Sequence, residues 1–153
     1  MKNNLCSRQR TFPMKKKRLL IFVIIAILLG FIFKDSLIRA YVFLCNDKLE
    51  AYAVKMLDSG EIREDNYGNW RTIIFPEDNK VEFWTGSFGL VPSSTYKGFY
   101  YSVDNSHKVF SVADASISPL EINGDYASWT DGTDNNGSST RIIDKWFWFE
   151  ASF

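Results

Sequence analysis

The sequence has few of the side chains on which metal and acid–base chemistry usually depend. It contains one histidine and two cysteines, with no G-x-S-x-G sequence and no glycine-rich phosphate loop. A structural zinc site needs about four His, Cys or acidic ligands, and a nucleophilic serine needs a structured turn with a histidine beside it. The single histidine, His107, lies in a polar stretch typical of a turn. We therefore predict no catalytic residue, no metal ligand and no cofactor, and we favour a protein that is not an enzyme.

An oxygen-rich segment at residues 131–137 is the one place that suggests a calcium loop. Asp131, Thr133 and Asn135 alternate there, but Asn136 stands where an EF-hand needs glycine, and Ile142 stands where it needs glutamate. Asp, Asn and Gly also suit a solvated hairpin turn. We favour the turn.

The net charge of zero hides an uneven distribution. Residues 1–18 contain seven basic residues and no acid, so the rest of the chain carries 18 acids against 18 − 7 = 11 bases. Basic tails occur on nucleic-acid-binding proteins, but a basic segment beside a hydrophobic run more often orients a membrane helix. We predict a cytoplasmic tail over residues 1–18 and no nucleic-acid partner.

The run LLIFVIIAILLGFIF at residues 19–33 has no charged side chain. A run of this kind is typical of a transmembrane segment or of a signal peptide, and no small-x-small cleavage site follows it. We predict an uncleaved signal anchor that contacts the lipid bilayer. The protein would then cross the plasma membrane once, with its N-terminus in the cytoplasm and its C-terminal domain outside, and the sparse cysteines favour a bacterial cell.

Residues 34–60 are predicted to form an amphipathic juxtamembrane helix. Apolar residues recur every three or four positions, and Gly60 provides a stop; they are Ile38, Tyr41, Cys45, Leu49, Tyr52 and Met56. This helix could pair two copies of the chain as a homodimer. Cys45 would then form an interchain disulfide, or it would be a buried thiol that acts as a small apolar side chain.

Short aromatic and β-branched runs separated by turn residues follow Gly60. They predict strands at residues 69–75, 81–85, 98–102, 108–112, 126–130 and 140–149, with turns at 76–79 and 131–137. We therefore predict an α+β fold, in which the helix packs on an antiparallel sheet of about five or six strands and residues 61–153 form an extracytoplasmic β-rich domain.

The most unusual segment is Lys-Trp-Phe-Trp-Phe-Glu at residues 145–150. In a strand, Trp146 and Trp148 would face one side while Phe147 and Phe149 faced the other, so the strand would have to be central or covered on both sides. The aromatic residues would then be core. The alternative is an aromatic shelf that stacks on sugar rings or docks a protein, and its predicted ligand-binding residues are Trp129, Trp146, Trp148 and Tyr100.

The order of a cytoplasmic stub, a hydrophobic helix, an amphipathic helix and a sheet is similar in outline to that of type IV pilins and pseudopilins. The chain departs from their motif, because it has no Gly-Phe processing site and no acid between Leu19 and Phe33. We predict a membrane-tethered, non-catalytic binding or interaction module of the cell envelope with a protein or glycan partner. The alternatives are an envelope enzyme that acts on glycan or peptidoglycan through carboxylates, and a pilin-like assembly subunit.

Overall fold

The computed structural model describes residues 14–90, 93–110, 120–132 and 134–153. Within these residues the chain forms two helices and eight strands, and it divides into two compact units, one that ends at residue 38 and one that begins at residue 39. The helices are α1 (Met14–Ile32) and α2 (Lys34–Leu57). The strands are β1 (Arg63–Tyr67), β2 (Trp70–Phe75), β3 (Lys80–Leu90), β4 (Ser93–Ser102), β5 (Glu121–Asn123), β6 (Tyr126–Thr130), β7 (Asn136–Ile143) and β8 (Trp146–Ser152).

Helix α1 corrects the prediction of a transmembrane segment. Over the described part of the chain, no helix combines the length and the apolar character that a membrane crossing requires. The uncharged part of α1 runs from residue 19 to residue 32, and at about 1.5 Å per residue it rises about 21 Å, short of a hydrocarbon core of roughly 30 Å. The predicted signal anchor over residues 19–33 and the predicted single-pass plasma-membrane location were therefore wrong. Residues 1–13 of the predicted tail lie outside the described residues.

Helix α2 packs on the sheet from Arg39 onward. The Tyr41 ring meets Trp70 edge-on at 5.4 Å between centroids, and the Tyr52 ring lies 5.9 Å from Phe83. The backbone at Cys45 leaves the helical region (φ −115°, ψ 17°), which kinks the helix at a half-buried thiol. The helix stops before Gly60, which adopts a left-handed conformation (φ 71°) as its sequence position predicted.

The eight strands form one antiparallel sheet in the order β1-β2-β3-β4-β8-β7-β6-β5. The predicted sheet of five or six strands was therefore wrong. The predicted strand over residues 140–149 is two strands, since the chain turns at Asp144 and Lys145, the latter with φ 67°. Strands β1 and β5 were not predicted because they are polar. Residues 108–110 of the predicted strand 108–112 are not in a strand, and the other two lie outside the described residues.

Both faces of the central strands are covered. The helix face of the sheet lies under α2 and contains Phe83 and Phe99, whose rings stack 4.7 Å apart, together with Trp146. The opposite face contains Phe147 and Phe149 and is covered by residues 103–110. Phe110 from that segment lies 4.8 Å from the Phe149 ring. The alternation predicted for residues 146–149 is confirmed, because β8 is a central strand with apolar side chains on both faces.

A buried ion pair fixes the covering segment to the opposite face. Lys80 and Glu82, two residues apart on β3, are each about 1% exposed, and Lys80 Nζ donates to Glu82 Oε1 at 2.8 Å. Lys80 Nζ also donates to the carbonyl oxygen of Val109 at 2.8 Å, and Trp84 Nε1 donates to Glu82 Oε2 at 3.1 Å. Each charge thus has an opposite charge and a further hydrogen bond, as burial of an ion requires.

We expect removal of one member of this pair to cost more than removal of both. Lys80→Met takes the cation from beside a buried carboxylate and should lower the free energy of unfolding by about 3–5 kcal/mol. Lys80→Met combined with Glu82→Leu replaces the pair by apolar side chains and should restore most of that loss. Urea denaturation of both variants measures the difference, and a double variant less stable than Lys80→Met would contradict the expectation.

Candidate binding pocket

The structure buries all four residues that were predicted to bind a ligand. Trp146 and Trp148 are each 1% exposed on the helix face, Tyr100 is 2% exposed on the opposite face, and Trp129 is 6% exposed on β6. All four belong to the aromatic core. Their ligand-binding role stays a prediction, but Trp129 is the one that also lines a pocket.

The pocket has a volume of about 240 Å³ and lies on strands β6, β7 and β8. Its lining is mainly polar and consists of Tyr126, Ser128, Trp129, Asn136, Gly137, Ser138, Glu150 and Ser152. The strand register places Ser128 opposite Ser138, and Ser138 opposite Glu150. Since successive residues of a strand alternate between faces, these side chains share the helix face with Trp146 and Trp148. The pocket therefore occupies a part of that face beside the aromatic core.

Trp129 and Gly137, which both line the pocket, make a close contact on the opposite face of the sheet. The two residues pair across β6 and β7, and a Cβ atom placed on Gly137 would lie 2.5 Å from the Trp129 ring. Only glycine leaves space for the indole at this position. The indole therefore packs over the β7 backbone on the face opposite the serine side chains of the pocket.

Glu150 is the charged group of the pocket, and its position is fixed by two donors. Lys97 Nζ donates to Glu150 Oε1 at 3.1 Å, and Trp148 Nε1 donates to the same oxygen at 3.3 Å. Beside this pair, the hydroxyl oxygens of Thr95 and Ser152 lie 2.9 Å apart. The pocket thus presents hydroxyl and amide groups around a carboxylate whose charge is balanced by a lysine.

Sequence reasoning missed these polar residues because it ranked aromatic side chains above serines. The sequence of β8 nevertheless indicated a polar part of this face, because Glu150 and Ser152 continue the alternation that begins with Trp146 and Trp148. A strand face that changes from tryptophan to polar residues marks the limit of the core. The serines of β6 and β7 could not be added from the sequence, since their position depends on the register of the β7–β8 hairpin.

His107 lies on the opposite face and is a buried structural side chain. Its Nδ1 is 2.6 Å from Ser139 Oγ, its ring packs 4.7 Å from Phe147, and Ser139 is 4% exposed. A Ser–His pair buried in this way does not present its hydroxyl to a substrate. Within the same network the Lys108 backbone N–H donates to the Tyr100 hydroxyl at 2.9 Å, and burial raises the pKa of Tyr100 to about 12.

Strands β6 and β7 pair as the predicted hairpin, but Asn136 and Gly137 of the predicted turn 131–137 are the first two residues of β7. Asn135 Nδ2 donates to Asp131 Oδ2 at 2.6 Å, so the oxygen-rich side chains bond within the turn. In the described parts of the chain, no group of three or more His, Cys, Asp or Glu residues is placed to hold a metal ion.

The homodimer through residues 34–60 stays a prediction, and Phe43 and Leu44 are exposed on that helix.

Comparisons with known proteins gave no match to a protein-family model, to a curated protein or to a solved structure.

We expect His107 to make stability depend on pH near neutrality. Burial and the nearby charge of Arg141 lower the pKa of His107 from its ordinary value of roughly 6.5, although the Gly124 backbone and the Asp125 carboxylate act against them. The unfolded chain therefore binds the proton more readily, and the free energy of unfolding should fall as pH decreases below about 6.5.

Urea denaturation between pH 7.5 and pH 5.5 measures this dependence in a range where carboxylates stay ionised. His107→Gln keeps a polar side chain of similar length and should flatten the dependence. An equal slope for the parent chain and the variant would contradict the assignment, because His107 is the only histidine.

Proposed function

We propose that this protein is a non-catalytic binding module and that the pocket on β6, β7 and β8 holds its ligand. The observation that carries the proposal is a polar recess in a sheet face whose central part is aromatic and covered by α2. Binding sites characteristically place a few convergent polar groups in a concave surface. Ser128, Ser138 and Glu150 meet that description, since they lie side by side on three adjacent strands.

The rim of the pocket adds an aromatic surface to these polar groups. Tyr126 is 46% exposed at the start of β6, beside Ser128 on the same face of the sheet. An exposed tyrosine offers apolar contact together with a hydroxyl, which is why tyrosine is enriched in recognition surfaces. The combination suits a polar ligand that also has an apolar face.

The distribution of carboxylates supports binding rather than glycoside hydrolysis. A two-carboxylate hydrolase needs its acids within about 5–10 Å of each other, and among the described residues that line the pocket Glu150 is the single acid. Glu121 lies on the same row of the sheet but three strands away, or about 14 Å at roughly 4.8 Å per strand. The sheet thus separates the two acids by more than that chemistry allows.

Filling the pocket should weaken binding without unfolding the chain. Ser138 is half-buried at the centre of the polar row, so Ser138→Leu should place an apolar side chain where a ligand would form hydrogen bonds. We expect at least a tenfold loss of affinity, which is about 1.4 kcal/mol. Ser87→Leu is a matched control, because Ser87 is exposed on β3 outside the pocket lining.

The measurement is a screen of neutral sugars, amino acids and short peptides against the full chain by two-dimensional NMR. Ligands that shift the backbone amides of residues 128, 137 and 138 are then titrated into both variants. If the ligands found shift amides elsewhere and bind Ser138→Leu as well as the parent chain, the pocket is not the binding site and the proposal fails.

A further inference from the structure

The polar row of the pocket extends beyond its lining on the helix face of the sheet. Across four neighbouring strands the register aligns Ser128, Ser138, Glu150 and Lys97. A second row, two residues further along each strand, aligns Thr130, Asn136, Ser152 and Thr95. We call these two rows the polar strip. Opposite side chains in such rows lie about 5 Å apart, so the strip is a continuous series of hydrogen-bonding groups perpendicular to the strands.

The strip carries little net charge. Lys97 and Glu150 form an ion pair within it, and the other members named are hydroxyl or amide side chains. The first row continues beyond Ser128 to one further carboxylate, the exposed Glu121 on β5. Neutral donors and acceptors recognise neutral hydroxyl groups well, whereas an anion or a cation needs an uncompensated opposite charge. The chemistry of the strip therefore favours a neutral, polyhydroxylated ligand.

Exposed aromatic rings flank the strip on its two outer strands. Tyr126 lies on β6 two residues before Ser128 and opposite Thr140, so it borders the first row without belonging to it. Phe88 is 85% exposed on β3, where it pairs with Thr95 at the end of the second row. The two strands are four steps apart in the sheet, or about 19 Å at roughly 4.8 Å per step. A single sugar ring is about as wide as one step, so one ring cannot contact both aromatic residues.

We propose that the ligand is a neutral oligosaccharide of several units that lies obliquely across the strands over the polar strip, from Tyr126 on one side to Phe88 on the other. The inference rests on the proposed binding function and adds its ligand class and orientation. The sugar hydroxyls bond to the two polar rows, and the apolar faces of the terminal units stack on the two rings. Trp148 is a positioning residue, because its indole N–H holds the Glu150 carboxylate in the strip.

The experiment measures how affinity depends on chain length. Cello-, chito- and malto-oligosaccharides of one to six units are titrated into the full chain by calorimetry, and binding is located by the NMR shifts of residues 128, 137 and 138. For the series that binds, affinity should rise at least thirtyfold between one and four units and then level off, because four strand steps are then occupied.

Variants of Tyr126 and Phe88 separate the contributions of the two aromatic residues to the affinity for sugars of each length. Tyr126→Ala should weaken every length by about tenfold, whereas Phe88→Ala should weaken only the sugars of four or more units. Phe43→Ala is the control, since it removes an exposed phenylalanine from α2 outside the strip. All three side chains are exposed, so the variants should keep the parent melting temperature.

Two results would overturn the inference. If a monosaccharide binds at the pocket as tightly as its longer oligomers, the binding function stands but the extended ligand is wrong. If no sugar in the three series shifts the pocket amides, the oligosaccharide class is wrong, and the broader screen with peptides and small polar compounds decides whether the pocket binds anything.

Discussion

The central strands β4 and β8 are apolar on both faces, and the rest of the domain is arranged to cover them. Strand β8 directs Trp146 and Trp148 to one side and Phe147 and Phe149 to the other. A two-sided apolar strand cannot form the surface of a sheet, because either face would expose aromatic rings to water. Helix α2 covers one face and residues 103–110 cover the other. The position of β8 near the middle of the sheet order follows from the same requirement.

The pocket lies beside the edge of that cover. The Arg39 guanidinium lies 4.9 Å from the Trp148 ring, and the next residues on the same face of β8 are Glu150 and Ser152. The face thus changes from aromatic to polar within two residues, at a point where α2 still contacts the strand. A rigid antiparallel sheet then holds the serines of β6 and β7 beside Glu150, so the polar strip needs no loop to position it.

The sequence predicted local features better than it predicted the pairing of strands. Pro76–Asn79 forms the predicted turn, with the Asn79 N–H bonded to the Pro76 carbonyl at 3.0 Å, since proline and asparagine impose turn geometry directly. The two-residue turn at Asp144 and Lys145 was not predicted from the sequence. Lys145 adopts a positive φ that lysine seldom takes, and the flanking residues are strand formers. Without that turn, β7 and β8 merged into one predicted strand and the serine row could not be seen. The predicted membrane segment was wrong because the uncharged part of α1, which ends at Ile32, is too short to cross a bilayer.

The Lys80–Glu82 pair also favours one register of β3 over others in the sheet. The centre of the sheet has aromatic residues on both faces. A slip by one residue would therefore still bury aromatic side chains, so hydrophobicity alone favours the observed register only weakly. A slip of β3 by one residue would exchange Val81 and Phe83 with Lys80 and Glu82, and it would move both charges beneath the apolar side of α2. There Lys80 would lose the Val109 carbonyl as a hydrogen-bond acceptor, and a buried ion that lacks hydrogen-bond partners is costly in a protein interior. The two charged residues therefore destabilise the register of β3 that is shifted by one residue, and they favour the observed register.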